Sequence, residues 1–346
     1  MTALGAHLDG HGAAEWQQAL DLFLTPEWIV HLAAEGFVGA IRPWLPMLVD
    51  DEAGAALLLP LLQTDAGLRS LSNYYCSLYG AVGHGVPGPA SWKRLAQSLR
   101  VHPQGDVVDL QPLSSDAAWL PALEYALIGS GYWIDRYFCF GNWYLPVDGA
   151  GFDAYFSARP STLRHSIERG RRRLQRCSHE LTIHCGPGPA LDAAIAAFEE
   201  VYQRSWKHPE PSPRFMPGLM RLAAAKGWLR LGVLWLDGQP IASQVWLVKS
   251  GKANIYKLAY AQGFERFSPG SVLTAALMAH VMDVDHVCEV DYLTGDDAYK
   301  RDWMSARRER IGLVAFHPLS LRGLLMATRH FSGRIWRRWR AAAGRA

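Results

Sequence analysis

The stretch Val290–Trp303, VDYLTGDDAYKRDW, holds the chain's densest run of groups able to do chemistry. Asp291, Asp296 and Asp297 are carboxylates, Tyr299 is a weak acid and Lys300 is a cation. Carboxylates brought close together push the proton affinity of one of them upwards, towards the range a general base needs. Asp291, near the end of an expected strand Val287–Leu293, and Asp296 are therefore candidates for taking a proton from an attacking amine. Both also have a plain structural reading, Gly295-Asp296 as a turn among them. Asp297 is expected to cap a short helix, Ala298–Trp303. Lys300 suits the phosphate or carboxylate of an acceptor. Trp303, four residues beyond Tyr299 on the same helix face, is expected to pack.

These groups need elements to position them. An expected strand Ala253–Tyr260 leads through a polar loop, Gln262–Ser268, to Pro269-Gly270-Ser271, which opens an apolar helix to about Met282. A helix start leaves N–H groups unpaired at the positive end of the dipole, so it can seat a phosphate. It is equally what Pro, Gly and Ser do at a helix start with no ligand. Around this strand, helix and strand lie further elements: a strand Leu181–His184, helices Ala190–Ser205 and Phe215–Lys226, and a hairpin Leu229–Leu236 with Ile241–Lys249. The hairpin turns through Asp237-Gly238-Gln239-Pro240. A strand Ile311–Phe316 is expected to close the sheet. The mixture of periods predicts an α/β fold with mixed sheets (α+β in character).

SPGSVL and DYLTGDDAYKRDW, with FLTPEWIVHL and YFSARPSTLRHSIERGRRRL, resemble the GNAT-fold acyltransferases of the BioF2-like type. That group includes cellulose-biosynthesis acetyltransferases and is related to the Fem-type aminoacyl transferases. The resemblance covers most of the chain and implies two GNAT-like domains in tandem, Fem-like. It implies acetyl-CoA, or another acyl-CoA, as co-substrate. Ser268, Gly270, Ser271, Val272 and Leu273 would face its pyrophosphate. The strands on either side of the helix would splay apart, with Tyr256, Lys257 and Ala259 along the acyl arm and a backbone N–H polarising the thioester. Tyr299 would return a proton to the departing thiolate. Trp206 and Lys207 fall on the acceptor side, and Arg164 in the family's basic run. The chain departs from the usual Arg/Gln-x-x-Gly-x-Gly/Ala loop: Arg266-Phe267-Ser268-Pro269-Gly270-Ser271 has one glycine, shifted.

The expected domains are residues 1–150, a degenerate GNAT-like half shaping the acceptor side; 151–178, a basic helical connector; 179–318, the acyltransferase half; and 319–346, a basic amphipathic tail. In the first half, Thr25-Pro26-Glu27 starts a helix. Met47–Asp50 and Ala55–Leu62 flank a hairpin turn, and Leu68–Ala81 has room for a strand. A helix Ser91–Arg100, a strand Val107–Leu110, a helix within Ser115–Ile128 and a strand Arg136–Leu145 follow. The last three echo the strand, helix and strand at Ala253–Leu293. Tyr74, Tyr75, Tyr79, Trp143 and Tyr144 either line a sugar or lipid pocket or fill the core.

With 346 residues, 49% apolar and 19% charged, the chain is globular and long enough for two modest domains. Its net charge of +3 is unevenly spread: Arg159–Arg176 carries seven arginines and one glutamate. That run is either an anion site or a solvated helix. No spanning helix and no leader peptide are expected. Five scattered cysteines fit a reducing compartment. Cys177, His179, His184 and Cys185 have no standard zinc spacing, and no metal is expected. In the tail, Leu321, Leu324, Leu325, Phe331, Ile335 and Trp339 alternate with arginines, the pattern of a helix lying on an anionic membrane or packed on the protein.

The sequence therefore points to a cytoplasmic acyltransferase, peripheral at the inner membrane surface through residues 319–342. It would move an acyl group, acetyl first, from coenzyme A to an amine or hydroxyl of a cell-envelope or polysaccharide precursor or a small metabolite. Transfer would be direct, since no Ser or Cys stands in a Gly-x-Ser-x-Gly context. Two alternatives remain. One is a tRNA-dependent aminoacyl transferase of Fem type, the only case in which nucleic acid would be a partner. The other is a non-catalytic, membrane-docked GNAT-like scaffold.

Overall fold

The computed structural model describes residues 21–343, with backbone alone from residue 334. Two compact units divide between Cys139 and Phe140 and again between Arg308 and Glu309, and the short segment around Asp21 belongs with Phe140–Arg308. The expected functional boundaries at 150 and 318 fall a little later in the chain.

In the unit built on Phe23–Cys139, Thr25 caps the helix Pro26–Glu35 by accepting from the Trp28 N–H at 3.2 Å, as expected of Thr before Pro-Glu. The hairpin Met47–Asp50 with Ala55–Leu58 forms, but Leu59 and Pro60 interrupt the expected longer strand, and Leu61–Thr64 pairs elsewhere. Only Gly67–Ser70 (β1) of the Leu68–Ala81 stretch is a strand. The helix Pro89–Val101 (α1) joins β1 to Val107–Ser114 (β2), and β1 and β2 pair in parallel at Leu68 and Arg69. The expected order of strand, helix and strand is present as well, as β2, the helix Leu120–Gly129 and the strand Trp133–Pro146. Trp92, Leu95 and Leu99 of α1 are buried with Leu68, Leu110 and Leu123.

Ile311–Phe316 was expected to close the other half's sheet. Instead the strand Ala306–Phe316 runs antiparallel to β2, with Ile311 opposite Leu113 and Phe316 opposite Val107. Its apolar residues Leu313 and Ala315 belong to this unit's core, which fixes the choice. The C-terminal helix Leu321–Ala343 packs through Ala327, with Met326 and Phe331 beside Val107, Val314 and Phe316. Leu321 and Leu325, expected on an apolar stripe, are exposed. The arginines and aromatics from Arg334 onward lie outside the described side chains.

The second unit carries Ser161–Leu174 (α2), His179–His184 (β3), Pro189–Gln203 (α3), Phe215–Ala225 (α4), Leu229–Leu236 (β4), Gln239–Lys249 (β5), Lys252–Tyr260 (β6), Pro269–Asp283 (α5), Glu289–Asp291 (β7) and Ala298–Trp303 (α6). β3, β4, β5 and β6 form an antiparallel meander, and β7 adds in parallel to β6. β7 also pairs antiparallel with Tyr144–Pro146, the end of the strand Trp133–Pro146. Trp246, Leu273, Leu277, Met278 and Val281 fill the core between α5 and the meander. α2 is packed there as well: Ile167 and Leu174 are buried, while Arg169, Arg171, Arg172 and Arg173 are exposed. Gly170 is obligatory at that crossing, since a Cβ would stand 2.3 Å from the Phe267 carbonyl oxygen.

Candidate active site

β6 and β7 pair over only three positions, Lys252 with Glu289, Ala253 with Val290 and Asn254 with Asp291. Beyond Asn254, β6 continues to Tyr260 with β5 as its partner, whereas β7 stops. The expected strand to Leu293 is cut short for a local reason. The Asp291 carboxylate accepts the Leu293 N–H at 2.7 Å, and Leu293 takes a left-handed conformation with φ 57°. An Asp side chain that captures the backbone two residues on makes a turn, not a strand. The chain then follows the Trp133–Pro146 strand, Tyr292 N–H bonding to the Trp143 carbonyl and Gly295 bridging to Asn142. The two strands around α5 thus part.

Asp291 is fully buried and fourfold held. Asn142 Nδ2 donates to it at 2.6 Å, Lys252 Nζ lies at 2.9 Å, and the Arg308 guanidinium touches it. Lys252 also meets Asp21 at 2.8 Å, and Arg308 meets Glu289 at 2.7 Å and lies over the Tyr144 ring. Burial alone would raise the Asp291 pKa, but Lys252 and Arg308 together hold it well below the usual carboxylate range. Asp296 is separate and half-exposed. It takes a bidentate pair from Arg307 and the Trp143 indole N–H at 2.7 Å, and Arg307 lowers its pKa. The two carboxylates do not raise one another; both move in the direction opposite to the sequence expectation. Asp297 stands at the N-cap position of α6 but makes no side-chain cap bond, and instead faces Lys300 at 3.3 Å.

Lys300 is buried, donates to the Thr294 and Gly295 carbonyls and lies over the Tyr292 ring. Burial lowers its pKa, with Asp297 opposing. Tyr299 is edge-on to Tyr292, with its hydroxyl pKa pushed up to about 12 by burial. Lys257 is buried on β6 and ion-paired with Glu210 at 2.8 Å. Lys207, in the loop after α3, has its pKa pushed down to about 8, first by burial and then by the neighbouring Lys257. Lys300 adds to that repulsion and Glu210 opposes it, so Lys207, Lys257, Lys300 and Glu210 form one electrostatic group. Trp206 packs on the Tyr260 ring at 4.6 Å. Tyr256 is half-buried and Ala259 buried on β6. Arg164 instead donates to the Arg159 carbonyl at 3.1 Å on α2.

At the start of α5, Ser268 is left-handed with φ 48°, and Pro269 occupies the first turn. Among the described residues, the N–H groups of Gly270 and Ser271 meet no protein acceptor, while Val272 N–H bonds to the Ser268 carbonyl. Val272 and Leu273 turn their side chains into the core. The turn is fixed from three sides. Gln244 Nε2 donates to the Gly270 carbonyl at 2.9 Å and to Thr274 Oγ1 at 2.8 Å, and Trp246 Nε1 donates to Gln244. The Ser166 and Ser268 hydroxyls lie 3.1 Å apart, and Arg173 donates to the Arg266 carbonyl. Such a rigid, partner-free pair of amides suits an anionic oxygen.

Sequence reasoning missed Asn142, Gln244, Lys252, Thr274, Arg308 and Glu210. Gln244 carried a readable signal, an amide within the apolar run Ile241–Val248. Tyr75 and Tyr79 are core residues, Tyr79 donating to the Pro60 carbonyl, and Tyr74 is exposed. Among the described residues, no three metal-ligating side chains converge.

Residues 161–301 match the profile of the acetyltransferase (GNAT) domain family. No curated protein matches the chain in sequence. Among solved structures, FemX matches with a TM-score of 0.59 at 9% identity, covering 90% of this chain and 95% of that one. A conserved protein of unknown function from Bacteroides thetaiotaomicron matches with 0.59 at 10% identity, over 90% and 97%. The C-terminal domain of a putative lysylphosphatidylglycerol synthetase from Agrobacterium fabrum matches with 0.51 at 12% identity, over 82% and 87%. At these identities the likeness is one of fold. The fold is thus α/β with mixed sheets and GNAT-like, as expected, and residues 161–301 carry the match to the acetyltransferase (GNAT) domain.

Proposed function

We propose that the chain is an acyl-CoA-dependent N-acyltransferase of BioF2-like character. It moves an acyl group, acetyl first, directly to an amine or hydroxyl of a cell-envelope or polysaccharide precursor or a small metabolite. The observation that carries this reading is the parting of β6 from β7 after Asn254, beside the partner-free amides of Gly270 and Ser271. The thioester of the co-substrate supplies the activated acyl group. The amides of Gly270 and Ser271 hold its pyrophosphate, and Tyr256 and Ala259 border its arm along β6.

Asp291 acts by position: pinned by Lys252 and Arg308, it sets the turn that opens the gap. A carboxylate held so far below neutrality is a poor base. Tyr299, kept protonated, gives its proton to the departing thiolate and takes up the one that the attacking amine or hydroxyl sheds. Lys207 and Lys300 hold an anionic group of the acceptor, with Trp206 beside it and Asp296 at the rim. The unit Phe140–Arg308 carries the reaction, and the tail meets an anionic membrane surface through the exposed Leu321 and Leu325. Among the described residues no helix is long and apolar enough to cross a membrane.

The test is isothermal titration with acetyl-CoA beside Gly270→Trp, whose Cβ would already stand 3.3 Å from the Tyr260 ring. Binding by the wild type, lost in the variant, is expected; no binding by the wild type overturns the reading. One observation favours a tRNA-dependent aminoacyl transferase instead, the four exposed arginines of α2 beside the same helix start. A steep fall of tRNA affinity with salt would support it.

A further inference from the structure

The unit built on Phe23–Cys139 contains a cavity of about 680 Å³ that the reaction above does not use. That volume lies within the range of small-molecule sites, roughly 300–1,000 Å³. Leu68, Val107, Val314, Phe316 and Met326 supply apolar walls, and Phe138, 55% exposed, stands at the opening.

The charged groups of the cavity are unevenly matched. Asp109 is the one carboxylate lining it, and it is already engaged by the Tyr137 hydroxyl and by Arg69 at 3.9 Å. His330 is held by Asp135 at 2.8 Å, its ring against Phe316. Arg329 lines the cavity with its side chain exposed, and among the described residues it makes no ion pair. Arg69 is half-exposed and its contact with Asp109 is long. The cavity thus combines a hydrocarbon wall with a net cationic lip. A nucleotide would leave the wall uncovered, and a neutral hydrocarbon would leave the arginines unanswered. An amphipathic anion matches both, its body removed from water and its charge kept beside arginine.

We propose that this cavity is a binding site for an amphipathic anion, a hydrocarbon chain ending in a carboxylate or phosphate. The site is independent of the acyl-transfer reading and of coenzyme A. Its ligand has two possible sources, a free acid or the anionic lipid of a membrane.

The test uses the full chain. Decanoate is titrated calorimetrically below its micelle concentration beside decanol, and vesicle flotation is run with phosphatidylglycerol and with phosphatidylcholine. Saturable 1:1 binding of decanoate, about tenfold tighter than decanol, is expected, and Arg329→Gln should remove most of that difference. Ala66→Trp, in an exposed turn at the cavity edge, should block decanoate without lowering the unfolding midpoint. If both decanoate and phosphatidylglycerol vesicles bind and Ala66→Trp abolishes both, the source includes lipid; if only decanoate binds, the source is the free acid. Equal affinity for decanol, no decanoate binding, or full binding by folded Ala66→Trp would each overturn the proposal. So would vesicle binding without decanoate binding, which would place lipid contact on the C-terminal helix instead.

Discussion

Lys252 and Asp291 form a 2.9 Å ion pair in which the carboxylate is wholly buried, Lys252 at the first and Asp291 at the last of the three positions where β6 and β7 pair. The pair, with Arg308 and Asn142, anchors the point from which the two strands separate. Burying two charges costs more than an exposed pair returns, unless the remaining lone pairs are satisfied. Here they are, by Asn142 Nδ2 and the Leu293 N–H.

Asp291→Asn keeps an acceptor for Leu293 but leaves Lys252 and Arg308 short of one charge. We expect a loss of about 3 kcal/mol, the lower end for a broken buried pair because Asp21 and Glu289 remain. The pH dependence has a definite sign. The folded-state pKa of Asp291 is depressed, so its contribution is complete above the unfolded value near 4 and is lost as pH falls below it. In urea titrations between about pH 4 and pH 2 the variant should show an acid limb shallower by up to about 1.4 kcal/mol per pH unit. Identical limbs would remove Asp291 from the ion-pair role.

Ser271→Glu separates donor binding from folding. An acidic side chain in the first turn of α5 suits the helix dipole, so the unfolding midpoint should hold or rise. The same charge repels a pyrophosphate, and acetyl-CoA affinity should fall at least about tenfold. An unchanged affinity would move the donor away from this corner.

Lys207 gives a basic-limb prediction. Its pKa, pushed down to about 8, means the ammonium is present below that pH and lost above it. If it holds an anionic acceptor group, KM for the acceptor should be flat to about pH 8 and then rise, with kcat little changed. Lys207→Arg should abolish the rise, since a guanidinium stays charged. A rise that persists in the Arg variant would assign the limb to another group.

Tyr299→Phe removes a hydroxyl that is protonated at neutral pH. A proton donor to the leaving thiolate should contribute about a hundredfold or more to kcat with KM nearly unchanged. A parallel change in both would mean that Tyr299 packs against Tyr292 and nothing more.

Local signals carried much of the fold. Thr25 before Pro26 and Glu27 started a helix at the expected residue, and Asp237-Gly238 turned the expected hairpin. The elements Ala298–Trp303 and Leu229–Leu236 match their expected bounds. Elements went astray where a long-range partner decided them. Ile311–Phe316 reads as a strand from its own residues, but which strand it pairs with depends on Val107–Leu113, some 200 residues away.

The amino-acid sequence by itself determined the helix start at Pro269-Gly270-Ser271, the strand before it and the carboxylate-rich turn after it, because capping, alternation and turn chemistry act within a few residues. Only the tertiary structure decided what surrounds those carboxylates. A pKa follows from what surrounds a group in space, and Lys252, Asn142 and Arg308 reach Asp291 from three separate segments and hold its carboxyl below the usual range.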